Sequence, residues 1–194
     1  MLICVTNRKL CRDDFFDRIE QIAKGKPHAI MLREKDLSIP EYSSMAKRIY
    51  EICVKNQVTL IINQNLEAAA EMKCPYIHLS MPDLRKYKQE IKHFSQVSAS
   101  VHSVSEAREA QALGATYLIA GHIFPTECKK GVPPRGLSFL KKVCNSVEIP
   151  VFAIGGITSA KVKVVTQAGA KGVCVMSEAM TCLKPDELAG NFRV

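Results

Sequence analysis

Eight short apolar runs, separated by stretches with helical patterning, constrain this chain more than any other feature. They fall at 2–6, 29–32, 59–63, 76–79, 97–101, 116–120, 151–154 and 172–176. Each is nearly continuously hydrophobic rather than alternating, which suits strands buried on both faces, as in a parallel sheet. Parallel neighbours need a crossover between them, and the intervening segments read as helices. Asp13 and Asp14 open one such segment, with Phe16, Ile19 and Ile22 on a single stripe. Ser38-Ile-Pro-Glu41 carries a cap, a proline tolerated in the first turn and a capping-box glutamate. Ser103-Val-Ser-Glu106 repeats the signal, Thr158-Ser159 can cap a further helix, and Gly114 and Gly169 read as helix stops.

Eight strand–helix alternations in 194 residues predict an α/β chain forming one (β/α)8 TIM barrel domain over residues 1–194. A doubly wound open sheet is the alternative. The last helix, read at 184–192, looks short for closing a barrel. We read it as frayed or leaning on a partner subunit, and a homo-oligomer is expected.

Composition narrows the partners. The formal net charge is +8, but Lys and Arg are spread along the chain and do not interleave with aromatics. That argues against nucleic acid and for a general attraction of small anions. Eight cysteines include no C-x-x-C pair, and no secretory signal is read ahead of them, so reduced, core-filling thiols and a cytoplasmic location are expected. No Cys/His cluster has zinc-ligand spacing. The apolar runs are far too short to span a membrane, so no membrane association is expected.

A barrel of this type binds ligands at the C-terminal ends of its strands. That rule gathers the polar residues: Arg33, Glu34 and Lys35 after the second run; Asn63 and Gln64 after the third; His78, Ser80 and Asp83 around the fourth; Ser100 and His102 at the fifth; and His122 at the sixth. Gly155-Gly156 and Met176-Ser177 follow the seventh and eighth, where backbone amides can meet phosphate oxygens. The alternative for the glycines is a tight turn and nothing more.

His122 is the acid–base candidate, since an imidazole near its reference pKa of about 6.5 can take and return protons at neutrality. A histidine merely satisfied at a strand end is the competing reading. His78 and His28 read as structural, and His102 as intermediate. Arg33 and Lys35, two apart, point the same way in an extended segment and with Lys129 can grip a pyrophosphate or carboxylate. Asn63 and Asp83 are a thin ligand set for Mg²⁺. Lys129 as a Schiff-base lysine has no supporting feature, and Cys128 as a nucleophile ranks lower still, although it stands in a basic loop.

Taken together, these residues resemble the thiamine phosphate synthase/TenI family over essentially the whole chain. The resemblance rests on Leu32-Arg-Glu-Lys35, Ile62-Asn63, His78-Leu79 with Asp83-Leu84, and Ser100-Val-His-Ser103 with Glu106-Ala107. It continues through Gly121-His-Ile-Phe-Pro-Thr126 with Lys129, Ile154-Gly-Gly-Ile157 and Val175-Met-Ser177. It implies a (β/α)8 barrel in the thiazole branch of thiamine biosynthesis.

Two activities are implied, and three departures bear on the choice. Where the synthases carry Gln, Asp and Thr, this chain has Met31, Gln64 and Cys128. The Gly-His-Ile-Phe segment and the lost carboxylate resemble the TenI branch. The expected activity is therefore that of a thiazole tautomerase, an isomerase needing no cofactor. His122 is its catalytic residue and moves a proton from the ring to the exocyclic carbon of a phosphorylated thiazole carboxylate. Gly156, Met176 and Ser177 would hold the phosphate, with Arg33, Lys35, Asn63, Ser100 and Lys129 as further substrate-binding residues. The alternative is a synthase, a transferase in which Asp83 helps hold Mg²⁺. A non-catalytic binder of thiazole or thiamine phosphate is a third reading.

Overall fold

Successive side chains of a strand point to opposite faces, so a strand apolar at every position needs a core on each side. The computed structural model, which describes residues 1–193, supplies both. Its strands are β1 (Leu2–Val5), β2 (Ala29–Leu32), β3 (Thr59–Asn63), β4 (Tyr76–Leu79), β5 (Gln96–Val101), β6 (Tyr117–Gly121), β7 (Val151–Ile154) and β8 (Gly172–Val175). All pair in parallel in chain order, and β8 returns to β1 through Leu2↔Val173, Ile3↔Cys174 and Cys4↔Val175. The sheet is therefore a closed (β/α)8 barrel, and the open-sheet alternative fails on the β1–β8 pairing.

Ile3, Val5, Met31, Ile61, Ile119, Phe152 and Cys174 fill the barrel interior. The alternate residues, among them Leu2, Cys4, Ile30, Leu32, Leu60 and Ile62, pack outward beneath the helices. Those helices are α1 (Phe15–Lys24), α2 (Ile39–Asn56), α3 (Leu66–Glu71), α4 (Met81–Lys86), α5 (Val104–Ala112), α6 (Gly136–Cys144), α7 (Val162–Gln167), α8 (Ser177–Thr181) and α9 (Leu188–Asn191).

Local chemistry sets where the helices begin. The Asp14 carboxylate accepts from the Phe16 and Asp17 amides at 2.9 and 3.0 Å, capping α1. Glu41 accepts from the Ser38 amide and hydroxyl at 2.9 and 2.6 Å, which pins the start of α2. Ser103 accepts from the Glu106 amide at 3.0 Å and opens α5.

The final helix is shorter than the sequence reading. It covers only Leu188–Asn191, because a turn closed by the Glu187 amide on the Lys184 carbonyl precedes it and Pro185 has no amide to donate. Leu188, Ala189 and Phe192 are buried in the chain's own core, so this face is covered without a partner subunit. Among the described residues no helix is long and apolar enough to cross a membrane.

Candidate functional site

The C-terminal strand ends surround a cavity of about 570 Å³. Arg33, Lys35, Asn63, Ser100, His122, Lys129, Gly156, Met176 and Ser177, each expected at the site, all line it. Asp83 does not line this cavity but reaches its edge through Gln64, whose amide donates to Asp83 Oδ2 at 2.9 Å.

The cationic part of the mouth is braced from below. The Arg33 amide donates to Thr6 Oγ1 at 2.9 Å, and that hydroxyl donates to Glu34 Oε1 at 2.8 Å. Glu34 is buried, and its charge is matched by Arg8, which donates through its amide and guanidinium at 3.0 Å each. Arg8 in turn makes a two-pronged contact with Asp36 at 2.7 and 2.8 Å. Because side chains alternate, holding Glu34 with Thr6 on the outer side of the barrel leaves its neighbours Arg33 and Lys35 at the mouth. Burial, then the nearby charges of Arg33 and Lys129, holds the Lys35 ammonium below its ordinary pKa, with Asp83 pulling the other way. Three cations thus crowd one region, an arrangement that an anion would relieve.

On β4 and β5, His78 and Ser98 are register partners. The His78 ring sits between two hydroxyls, 2.8 Å from Ser98 Oγ and 2.8 Å from Ser100 Oγ. Burial, followed by the Arg33 and Lys35 charges, pulls its pKa down to about 3. It is therefore a neutral ring that anchors Ser100 at the rim, in keeping with the structural reading. His102 also holds backbone, with Nδ1 2.8 Å from the Gly121 carbonyl oxygen.

His122 follows β6 and is buried. Its Nε2–H donates to the Val132 carbonyl at 3.2 Å, and its own carbonyl accepts from the Arg135 amide at 3.0 Å. The ring lines the cavity, yet its Nε2 proton is spent on the loop that carries Lys129. Gly155 is what allows it to sit there. A Cβ at that position would collide with the Cβ of His122.

The remaining wall is main chain. Gly156 adopts φ +62°, and among the described residues its N–H has no backbone acceptor. With Met176 and Ser177 it forms a polar floor beside exposed Cys128, whose Sγ lies 3.5 Å from Ser177 Oγ. Sequence reading missed two contributors. Thr6, fully buried, reads in the sequence only as the end of a strand. Lys161 also lines the cavity and donates to the Gly156 carbonyl at 2.7 Å. The signal for Lys161 was its place one turn past the double glycine. For Thr6 the signal was a lone hydroxyl ending an apolar run.

Known proteins resemble this chain throughout its length. A family model described as thiamine monophosphate synthase matches residues 2–179. A thiamine-phosphate synthase of Fusobacterium nucleatum is 36% identical over 176 residues, 89% of this chain and 85% of that protein. One from Clostridium acetobutylicum is 33% identical over 186 residues, 94% of this chain and 88% of its own. Among solved structures, a thiamine phosphate pyrophosphorylase from Pyrococcus furiosus superposes with a TM-score of 0.87 at 27% identity, covering 99% of this chain and 93% of that one.

These relatives are named synthases, which overturns the expectation of a thiazole tautomerase and of an isomerase. That expectation leaned on His122, and the structure gives its ring a part that the sequence does not show. An imidazole beside a glycine looks like a free acid–base group in sequence, whereas here the ring staples a loop through Val132. By family match and by identity over most of its length, the chain belongs to the thiamine monophosphate synthase family.

Proposed function

We propose that this chain joins a pyrimidine pyrophosphate to a thiazole phosphate, as a thiamine-phosphate synthase. The thiazole nitrogen would form a bond to the pyrimidine methylene carbon while the bond from that carbon to the pyrophosphate oxygen breaks, releasing pyrophosphate. The observation that carries this reading is that one cavity holds two kinds of anion site side by side, meeting where Arg33 Nη1 lies 3.8 Å from Met176 Sδ. Arg33, Lys35 and Lys129 make one, and the main-chain floor at Gly156, Met176 and Ser177 makes the other. Two phosphorylated substrates need two such places. The three-cation cluster matches the high charge of a pyrophosphate, and the floor matches a phosphate monoester.

In this reading Arg33, Lys35 and Lys129 bind the pyrophosphate and neutralise charge as it departs. Asn63, buried where β3 ends, and Ser100, anchored by His78, orient the pyrimidine side. The N–H groups of Gly156, Met176 and Ser177 hold the thiazole phosphate, so that the two reacting atoms are brought together rather than activated by a base.

The residues also fit the Mg²⁺ that the reaction class implies. Asp83 Oδ2 is occupied by Gln64 and Ser80, at 2.9 and 2.6 Å, leaving Oδ1 as a carboxylate donor. Mg²⁺ is commonly held by one or two carboxylates plus substrate phosphate oxygens, so Gln64 in place of a second carboxylate is compatible with it. When bound, the ion supplies further charge neutralisation to the leaving pyrophosphate.

The test is direct. Purified protein given the pyrimidine pyrophosphate, thiazole phosphate and Mg²⁺ should release thiamine phosphate and pyrophosphate in equal amounts. No product at high enzyme concentration would rule the reading out.

A further inference from the structure

Lys161 ends the short 3-10 turn Ser159–Lys161 that leads into α7, and its side chain folds back over the β7 loop. Its Nζ donates to the Gly156 carbonyl at 2.7 Å and stands 4.6 Å from the centre of the Phe124 ring. The ammonium is therefore fixed in place, gripped from one side and resting on an aromatic face. Among the described residues no carboxylate lies within ion-pair distance of it. An ammonium carries three donors. One is spent on Gly156, and the other two have no acceptor among the described residues. The carbonyl that Lys161 holds belongs to the same residue whose N–H is left free at the cavity floor. The cation thus sits beside that floor, on the segment after β7, whereas Arg33 and Lys35 follow β2 and Lys129 follows β6.

We propose that Lys161 is a phosphate ligand, adding a fixed positive charge to the main-chain floor so that it selects a phosphate monoester arm. The proposal rests on the phosphate-holding role given above to Gly156 and Ser177. It goes further in assigning to this chain a side-chain cation that neither the motifs nor the relatives' names point to. A charge-assisted N–H···O bond gives the floor a strength that neutral amides alone lack.

The experiment titrates the full chain with inorganic phosphate at constant ionic strength and follows the amide NMR shifts of Gly156 and Ser177, which report this floor. Wild type is expected to show saturable shifts at both. Lys161→Met, which keeps the aliphatic stem, is expected to weaken binding roughly ten- to a hundred-fold. Lys161→Arg should restore most of it, and raising salt should weaken wild type more steeply than Lys161→Met. Equal affinity in wild type and Lys161→Met overturns the assignment. So does a failure of Lys161→Arg to restore binding, together with faster amide exchange at 155–157 in both variants, since the lysine would then be only a loop brace. If the two amides do not respond in wild type, the phosphate floor itself is wrong. The coupling assay with both substrates then decides the synthase reading separately.

Discussion

At Gly156 two constraints coincide. Its φ is +62°, and a Cβ would run into the Pro125 carbonyl oxygen while lying 2.9 Å from Phe124 Cβ. Replacing it with alanine should therefore cost about 1–3 kcal/mol of stability and weaken phosphate binding, checked by thermal melting and by the same NMR titration. The double glycine was legible in sequence as a place where amides approach an anion. The second constraint was not, because the loop that packs behind Gly156 comes from a different strand end, some thirty positions earlier (roughly, by the reach of a βαβ unit). His78 shows the same divide. Its structural role could be read from its place among apolar neighbours, but its anchoring of Ser100 needed the register that sets it against Ser98.

Among the elements, the segment between β6 and α6 matters most. It leaves the barrel with the Ile123 amide on the Ile154 carbonyl and the Phe124 amide on the Gly155 carbonyl, at 2.9 and 3.0 Å. It returns through the Gly136 amide on the Ile123 carbonyl at 3.1 Å. Between these fixed ends Cys128, Lys129 and Lys130 are exposed, and the His122 ring is the tie across the middle. Substituting His122→Asn should therefore speed amide exchange over 128–134. It should raise KM for the pyrophosphate substrate on the order of tenfold, with a smaller change in kcat. Exchange mass spectrometry and steady-state kinetics check this, and a fall in kcat alone would contradict it. Sequence reading finds the residue and the loop but not the tie between them, because no local periodicity announces a partner ten positions away.

For the whole molecule, pH offers the clearest test. His78 is neutral in the fold with its pKa pulled from 6.5 to about 3. Below its ordinary pKa the unfolded chain takes up a proton that the folded chain refuses, so stability is lost progressively as pH falls from about 6.5 towards about 3. His28, exposed at the surface but also shifted down by partial desolvation and then by the N-terminal charge, acts weakly in the same direction. Melting temperature should thus decline from pH 6.5 to pH 4, and His78→Gln should flatten the decline. The barrel itself was almost fully legible, since eight strands buried on both sides leave an unmistakable run pattern. The cross-strand brace from Thr6 through Glu34 to Arg8 was not, because it joins side chains whose meeting depends on β1 lying beside β2.

Closure of β8 onto β1 bears on how copies of this chain can meet. A ring of eight strands has no unpaired rim of N–H and C=O groups for another chain to extend. Contact between two molecules must then be built from outward-facing side chains. On α2, for example, Tyr50 and Val54 stand one helical turn apart, 44% and 57% exposed.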